Sequence, residues 1–172
     1  DLFSEKYLGM EQDYQYLSHC GVYLGMTVFN DTNKIVVYNP TTNQAEYIRA
    51  KANTIIIDNT LLEPKQEHRY RFTMAHEAAG HGVLHKEYFG YNPNQLGLFD
   101  GDNIAMIQCR KDSSKAGNKD QNLWTDFDWM EWQANTLASA FLMPKKMVVK
   151  LITKYRADNR YYEFHEVQRP YI

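Results

Sequence analysis

The stretch RFTMAHEAAGHGVLH, Arg71 to His85, sets His76 and His81 five residues apart, with Glu77 directly after the first. No other feature of the chain constrains its backbone as tightly. An ideal helix turns ~100° per residue, so residues four apart lie ~40° apart around the axis and residues five apart ~140° apart. A straight α-helix would therefore aim the two imidazoles to different sides. One surplus residue looped into the helix as a π-bulge lets position i+5 take the place of i+4, and such bulges often occur at functional sites. Gly80 and the flanking Gly82 make local distortion cheap, while Ala78 and Ala79 add no bulk. The pattern predicts a helix over about 67–85, with Phe72, Met74 or Ala75, and Ala79 facing inward and the His-Glu pair near its middle.

The segments around this helix predict an α+β fold. EKYLGMEQDYQYLSHCG carries Leu8, Tyr14 and Leu17 at helical spacing with Gly21 as a stop, which reads as an amphipathic helix. VYLGMTVFN, KIVVYNP and TIIIDN are β-branched and aromatic runs separated by Asn/Asp/Pro turn signals, and they read as strands of one small sheet, mixed or antiparallel. Residues 86–122 collect glycine, proline, asparagine and charge around one apolar run, Ile104 to Cys109, and read as loop, strand, loop. DWMEWQANTLASAFLMP is a second helix stopped by Pro144, KKMVVKLITKYR a third, and DNRYYEFHEVQRPYI a polar, aromatic tail.

Composition narrows the function classes. A chain of 172 residues with 44% hydrophobic content suits a single domain. The net charge of -2, with both signs interspersed, lacks the basic footprint of a phosphate-backbone binder, so direct nucleic-acid binding is not expected. Cys20 and Cys109 form neither a C-x-x-C pair nor a disulfide framework and read as plain buried thiols. With no signal-like segment and no long apolar run, the expectation is a cytoplasmic protein without a membrane span. The chain opens on Asp1, so it is also read as a piece that could have been excised from something longer.

Metal-assisted hydrolysis needs three deprotonated ligands, an open fourth position, and a base to take a proton from the attacking water. His76, Glu77 and His81 supply three of those four groups. Glu131, on the separate helix bearing EWQAN, is the best distant ligand, because the neighbouring Ala134, Leu137, Ala138 and Phe141 make a small apolar face that lets two helices approach. Three alternatives stay open. His81 could pair with His85, four residues on and on the same face, rather than with His76. Asp128 could be an N-cap with Glu131 reaching back to it as a capping box. Asn135, one turn beyond Glu131, could orient a ligand or merely pack.

RFTMAHEAAGHGVLH followed by EWQANTLASAFLMP resembles the ImmA/IrrE-type zinc metallopeptidases, whose pattern is roughly R-F-T-x-A-H-E-x-G-H-x-x-L-H and then E-x-x-A-N-x-[FL]-A-x-x-[FL]-L-M-P. The match covers about 54–144, and the one-residue-longer HEAAGH is its departure. The resemblance implies a zincin-like fold in which a small sheet packs against the active-site helix and a second helix carries the third ligand. It further implies Zn2+ held by His76, His81 and Glu131, with Glu77 as general base, and a helix-turn-helix repressor as the protein substrate. His85 has a counterpart outside the metal ligands and is read as structural, hydrogen-bonded to backbone. Tyr88, Tyr161, Tyr162 and His165 are available as oxyanion donors, with no spacing rule to choose among them. The rival reading is a degenerate zincin in which the extra alanine has destroyed metal affinity, leaving a sensing or protein-binding module. A DNA-processing component is disfavoured by the charge.

Overall fold

A computed structural model describes residues 2–89, 106–110 and 121–157. The chain divides into two compact units, Asp1–Leu142 and Met143–Ile172.

Mixed α+β architecture organises the first unit. Strands β1 (Glu11–Gln15), β2 (Tyr23–Val28), β5 (Thr54–Asp58) and β6 (Met106–Arg110) form one sheet in the order β1-β5-β2-β6. β1 runs parallel to β5, while β2 is antiparallel to both β5 and β6. The hairpin β3 (Thr32–Asn39) and β4 (Gln44–Ala50) forms a separate two-stranded sheet. Two sheets thus replace the single sheet expected. β4, QAEYIRA, escaped the sequence reading because five of its residues are exposed and its run of apolar residues is short.

β5 is buried along its whole length because both of its faces carry core. Ile56 packs with Leu17, Met26, Val28, Ile35, Val37 and Ala50 on the side of the hairpin. Ile55 and Ile57 pack with Met10, Leu61, Met74 and Ala78 on the opposite side, which faces the long helix. Each fully buried isoleucine contributes roughly 1.5–3 kcal/mol relative to exposure, so this strand anchors both layers.

The helix expected around EQDYQ is absent. A π-helical turn at Phe3–Tyr7 ends at Gly9, whose φ is 63°, and Glu11–Gln15 continues as strand. Pairing to β5 satisfies the backbone of a strand that is buried on both faces, and this non-local demand outweighs the weak helical spacing of Leu8, Tyr14 and Leu17. Asp58 reinforces the arrangement by accepting hydrogen bonds from the backbone N–H of Leu17 (2.8 Å) and of Thr60 (3.0 Å).

The long helix begins as α1 (Glu67–Ala75), passes through a π-helical turn at His76–His81, and ends as α2 (Gly82–Leu84) and α3 (Lys86–Phe89). Met74, Ala75 and Ala79 are buried as expected, but Phe72 is exposed. A third cluster joins Phe29, Phe89 and Ile107. α4 (Asp126–Leu142) carries Ala134 and Ala138, both fully buried, and brings Ala134 against Gly80 of the π-helical turn. Of the expected loop-strand-loop, β6 is the described part, and the polar tail lies outside the described residues. Cys20 is exposed, contrary to expectation, and the Cys109 side chain lies outside the described residues.

The second unit contains α5 (Lys145–Ala157), which starts just after Pro144. Among the described residues, no helix is long and apolar enough to cross a membrane.

Candidate metal centre

The surplus residue in HEAAGH is absorbed where the sequence requires it. The backbone N–H of His76 bonds the carbonyls of Phe72 and Thr73, whereas the N–H of Gly82 bonds the carbonyl of Glu77, five residues back. The two glycines are used differently from the sequence expectation. Gly82 has helical dihedrals, φ -62° and ψ -31°, and Gly80 is not among the residues with positive φ. Their service is room. A Cβ on Gly80 would lie 2.7 Å from Ala134 Cβ, and one on Gly82 would lie 2.8 Å from Met10 Sδ.

With the bulge in place, His76 Nε2 and His81 Nε2 stand 3.0 Å apart. Glu131 arrives from α4 with Oε2 at 3.5 Å from His76 Nε2 and Oε1 at 3.3 Å from His81 Nε2. His76, His81 and Glu131 are therefore a group that could hold a metal ion, each offering one ligand atom. Two imidazole nitrogens and a carboxylate oxygen on one tetrahedral zinc stand roughly 3.3 Å apart, given bonds of ~2.0–2.2 Å. The observed separations lie close to that value.

The donor set has the right chemistry as well as the right spacing. Asn135 Oδ1 lies 3.0 Å from His76 Nδ1, and a carbonyl oxygen can only accept, so Nδ1 carries the proton and Nε2 a lone pair. His81 Nδ1 lies 2.8 Å from His85 Nδ1, and His85 Nε2 lies 3.0 Å from Gln133 Oε1, which places a lone pair on His81 Nε2 by the same logic. Two lone pairs and a carboxylate converge, an arrangement that a cation satisfies. Burial, followed by the neighbouring His81 ring, lowers the His76 pKa to about 4, with Glu131 opposing the shift. Burial and then His85 lower that of His81 to about 3. Both rings stay neutral at ordinary pH, the form a metal ligand must have.

Glu77 is fully buried behind this cluster. Gly25 and Thr27 on β2 pair with Ile57 and Ile55, so they share the sheet face that the helix covers. The Thr27 hydroxyl donates to Glu77 Oε2 at 2.6 Å, while Oε1 has no hydrogen-bond partner among the described residues. A Cβ on Gly25 would fall 2.7 Å from that Oε1, so glycine is what lets the carboxylate sit there. Burial drives the Glu77 pKa well above the usual carboxylate value; the Thr27 hydrogen bond opposes this, and the Glu131 charge adds to it.

The alternative in which Glu131 serves as a cap does not arise. Asp128 accepts from the Thr125 N–H and hydroxyl, and its own N–H donates to Thr125 Oγ1, so the capping box lies one turn earlier. His85 bonds side chains, not backbone, through its ring. Tyr88 is exposed, and the other oxyanion candidates, Tyr161, Tyr162 and His165, lie outside the described residues. Gly25, Thr27 and Gln133 were missed from sequence. Gly25 and Thr27 lie outside both motifs and only the strand register brings them in, whereas Gln133 lies within EWQAN at a position the pattern leaves open, and only the packing of α4 brings it to His85.

Compared with protein-family models, with curated proteins and with solved structures, the chain gives no match.

Proposed function

We propose that the chain is a zincin-like, zinc-dependent peptidase. The observation that carries this reading is the convergence of two Nε2 lone pairs and a carboxylate beside a buried glutamate with one free oxygen. The ligand set of two histidines and one glutamate is typical of hydrolytic zinc, and the resemblance of both sequence motifs to ImmA/IrrE-type peptidases points the same way.

Zinc bound there would supply a Lewis acid and bring the pKa of a water toward ~7. His76, His81 and Glu131 would hold it, with Asn135 fixing the ring of His76. Glu77 would take a proton from the attacking water at Oε1 and return it to the leaving amine. A base must be anionic, and burial works against that; the Thr27 hydroxyl favours the ionised form, as would any positive charge nearby. The substrate proposed is a helix-turn-helix repressor, the class implied by the motif resemblance and one whose basic surface would complement a net charge of -2.

The competing reading is a module that binds a partner without cutting it. It draws on the burial of His76, Glu77 and His81, which leaves little of the cluster open to solvent. Elemental analysis and a peptide library read by mass spectrometry separate the two. The peptidase reading expects stoichiometric zinc in the wild type and in Glu77→Gln, strong loss of zinc in Glu131→Ala, and cleavage by the wild type alone. Wild-type protein free of zinc after purification without chelators, or cleavage undiminished in Glu77→Gln, would overturn it.

A further inference from the structure

The reaction proposed above makes no use of the buried imidazole of His85. His85 is 4% exposed, lies one α-helical turn beyond His81, and bonds no backbone group through its ring. Its two nitrogens connect two different elements: Nδ1 meets His81 Nδ1 at 2.8 Å, and Nε2 meets Gln133 Oε1 on α4 at 3.0 Å.

A neutral imidazole carries one proton on one nitrogen, so a chain of such rings has a direction set by whatever terminates it. Gln133 terminates this one with a carbonyl oxygen, which accepts and cannot donate. The His85 proton is thereby held on Nε2, its Nδ1 becomes an acceptor, and the His81 proton is drawn to Nδ1. His81 Nε2 is left with its lone pair facing His76 Nε2 and Glu131 Oε1, at 3.0 and 3.3 Å. Reversing the terminus would reverse the chain. If Gln133 no longer accepted, His85 could place its proton on Nδ1, and His81 would then carry its own on Nε2, where the ligand atom must be bare.

We propose that Gln133 and His85 are positioning residues that select the metal-binding tautomer of His81, an inference that rests on the metal-binding reading above. α4 thus orients both histidines, His76 directly through Asn135 and His81 through an intervening ring. A metal-ligating histidine ordinarily gives its other N–H to a carboxylate, a backbone carbonyl or water. Here the role falls to a second imidazole, whose own orientation depends on an amide three bonds from the helix backbone.

Two measurements test the proposal. In metal-free protein with 15N-labelled histidine at neutral pH, long-range 1H–15N correlation is expected to show His81 protonated on Nδ1 and His85 on Nε2. Zinc and cobalt(II) affinities are then measured for the wild type, Gln133→Leu, Gln133→Glu and His85→Phe. Gln133→Leu is expected to mix the His85 tautomers and to weaken both metals by about tenfold or more, the usual range for partners behind a ligand being ~10–100-fold. Gln133→Glu keeps an acceptor and is expected to bind at least as well as the wild type. Melting of the metal-free Gln133→Leu protein is expected to stay near that of the wild type, which separates positioning from general stability. A His81 proton found on Nε2, Gln133→Leu binding both metals like the wild type, or an affinity loss that follows a melting loss without any tautomer change would each overturn the proposal alone. A wild type that binds neither metal would overturn the metal reading, and the proposal with it.

Discussion

Gly80 and Ala134 touch where the π-helical turn meets α4: a Cβ on Gly80 would sit 2.7 Å from Ala134 Cβ and 2.8 Å from Ala134 Cα. The contact involves backbone on α4, which cannot swing aside as a side-chain tip can. It brings the π-helical turn and α4 close enough for Glu131 to reach His76 and His81. Gly80→Ala is therefore expected to destabilise the fold by about 1–3 kcal/mol through overpacking. It should also weaken metal binding by moving Glu131 away from His76 and His81. Thermal melting and zinc titration check this; a variant with wild-type melting and affinity would show that the helices have slack.

The π-helical turn makes a prediction about chain length. Deleting Ala79 restores a four-residue spacing, which a plain α-helix brings to one face, so His76 and His81 should still converge and zinc should still bind. Inserting a further alanine into HEAAGH adds ~100° of rotation with no bulge ready to absorb it, and should abolish binding. Metal content of the two variants gives the answer. Loss of zinc from the deletion together with its retention in the insertion would mean that the bulge does not set the register.

The protonation of the site gives a pH dependence with a definite sign. In metal-free protein, burial, the largest cause for both rings, lowers the His76 pKa to about 4 and that of His81 to about 3 from the ordinary 6.5, so between these limits the unfolded chain binds more protons. Stability should therefore fall as pH drops from about 6.5 toward 4. Glu77 acts in the opposite direction. Its pKa is raised by burial above the ordinary 4.5, so the folded state holds the proton longer, and its contribution declines as pH rises through that raised value. Melting of chelator-treated protein across this range should show the acid loss, with a smaller loss in His81→Gln. Glu77→Gln should remove the decline on the alkaline side. A wild-type melting temperature that does not change between pH 4 and 6.5 would contradict the assignment.

How much of this was legible in the sequence depended on whether the cause was local. The bulge follows from spacing within one helix, and the grouping of His76 and His81 with Glu131 from two short motifs and their resemblance, while the role of Asn135 stays open between orienting a ring and packing. All of these are local patterns. β5, a compact run of isoleucines, was equally readable. β1 was not, because Leu8, Tyr14 and Leu17 mimic a helical stripe while the decisive partner, β5, lies some forty residues on, with Glu11 beside Thr54. β4 has too little apolar content to announce itself, and its strand character comes from pairing with β3. Gly25 and Thr27 illustrate the same limit at the site. Within YLGMTV they are an unremarked glycine and threonine, and only register against Ile57 and Ile55 turns them toward Glu77.

That register leads to a prediction which separates the base from the metal. A Cβ on Gly25 would meet Glu77 Oε1 at 2.7 Å, Thr73 Cγ2 at 2.7 Å and Glu77 Cγ at 2.8 Å, and none of these three nearest atoms belongs to His76, His81 or Glu131. Gly25→Ala should therefore displace the glutamate while leaving the ligands in place. Peptide cleavage is expected to fall by about 10²–10⁴-fold, the range associated with losing a positioned acid-base group, while zinc content stays stoichiometric. Thr27→Val should act more mildly, because it removes the anchor on Oε2 without filling the space at Oε1. Measuring cleavage and metal content on the same preparations distinguishes the cases. If Gly25→Ala lost zinc in parallel with activity, Glu77 and the ligand trio would be mechanically one unit, and the division of labour between strand and helices proposed for this site would be wrong.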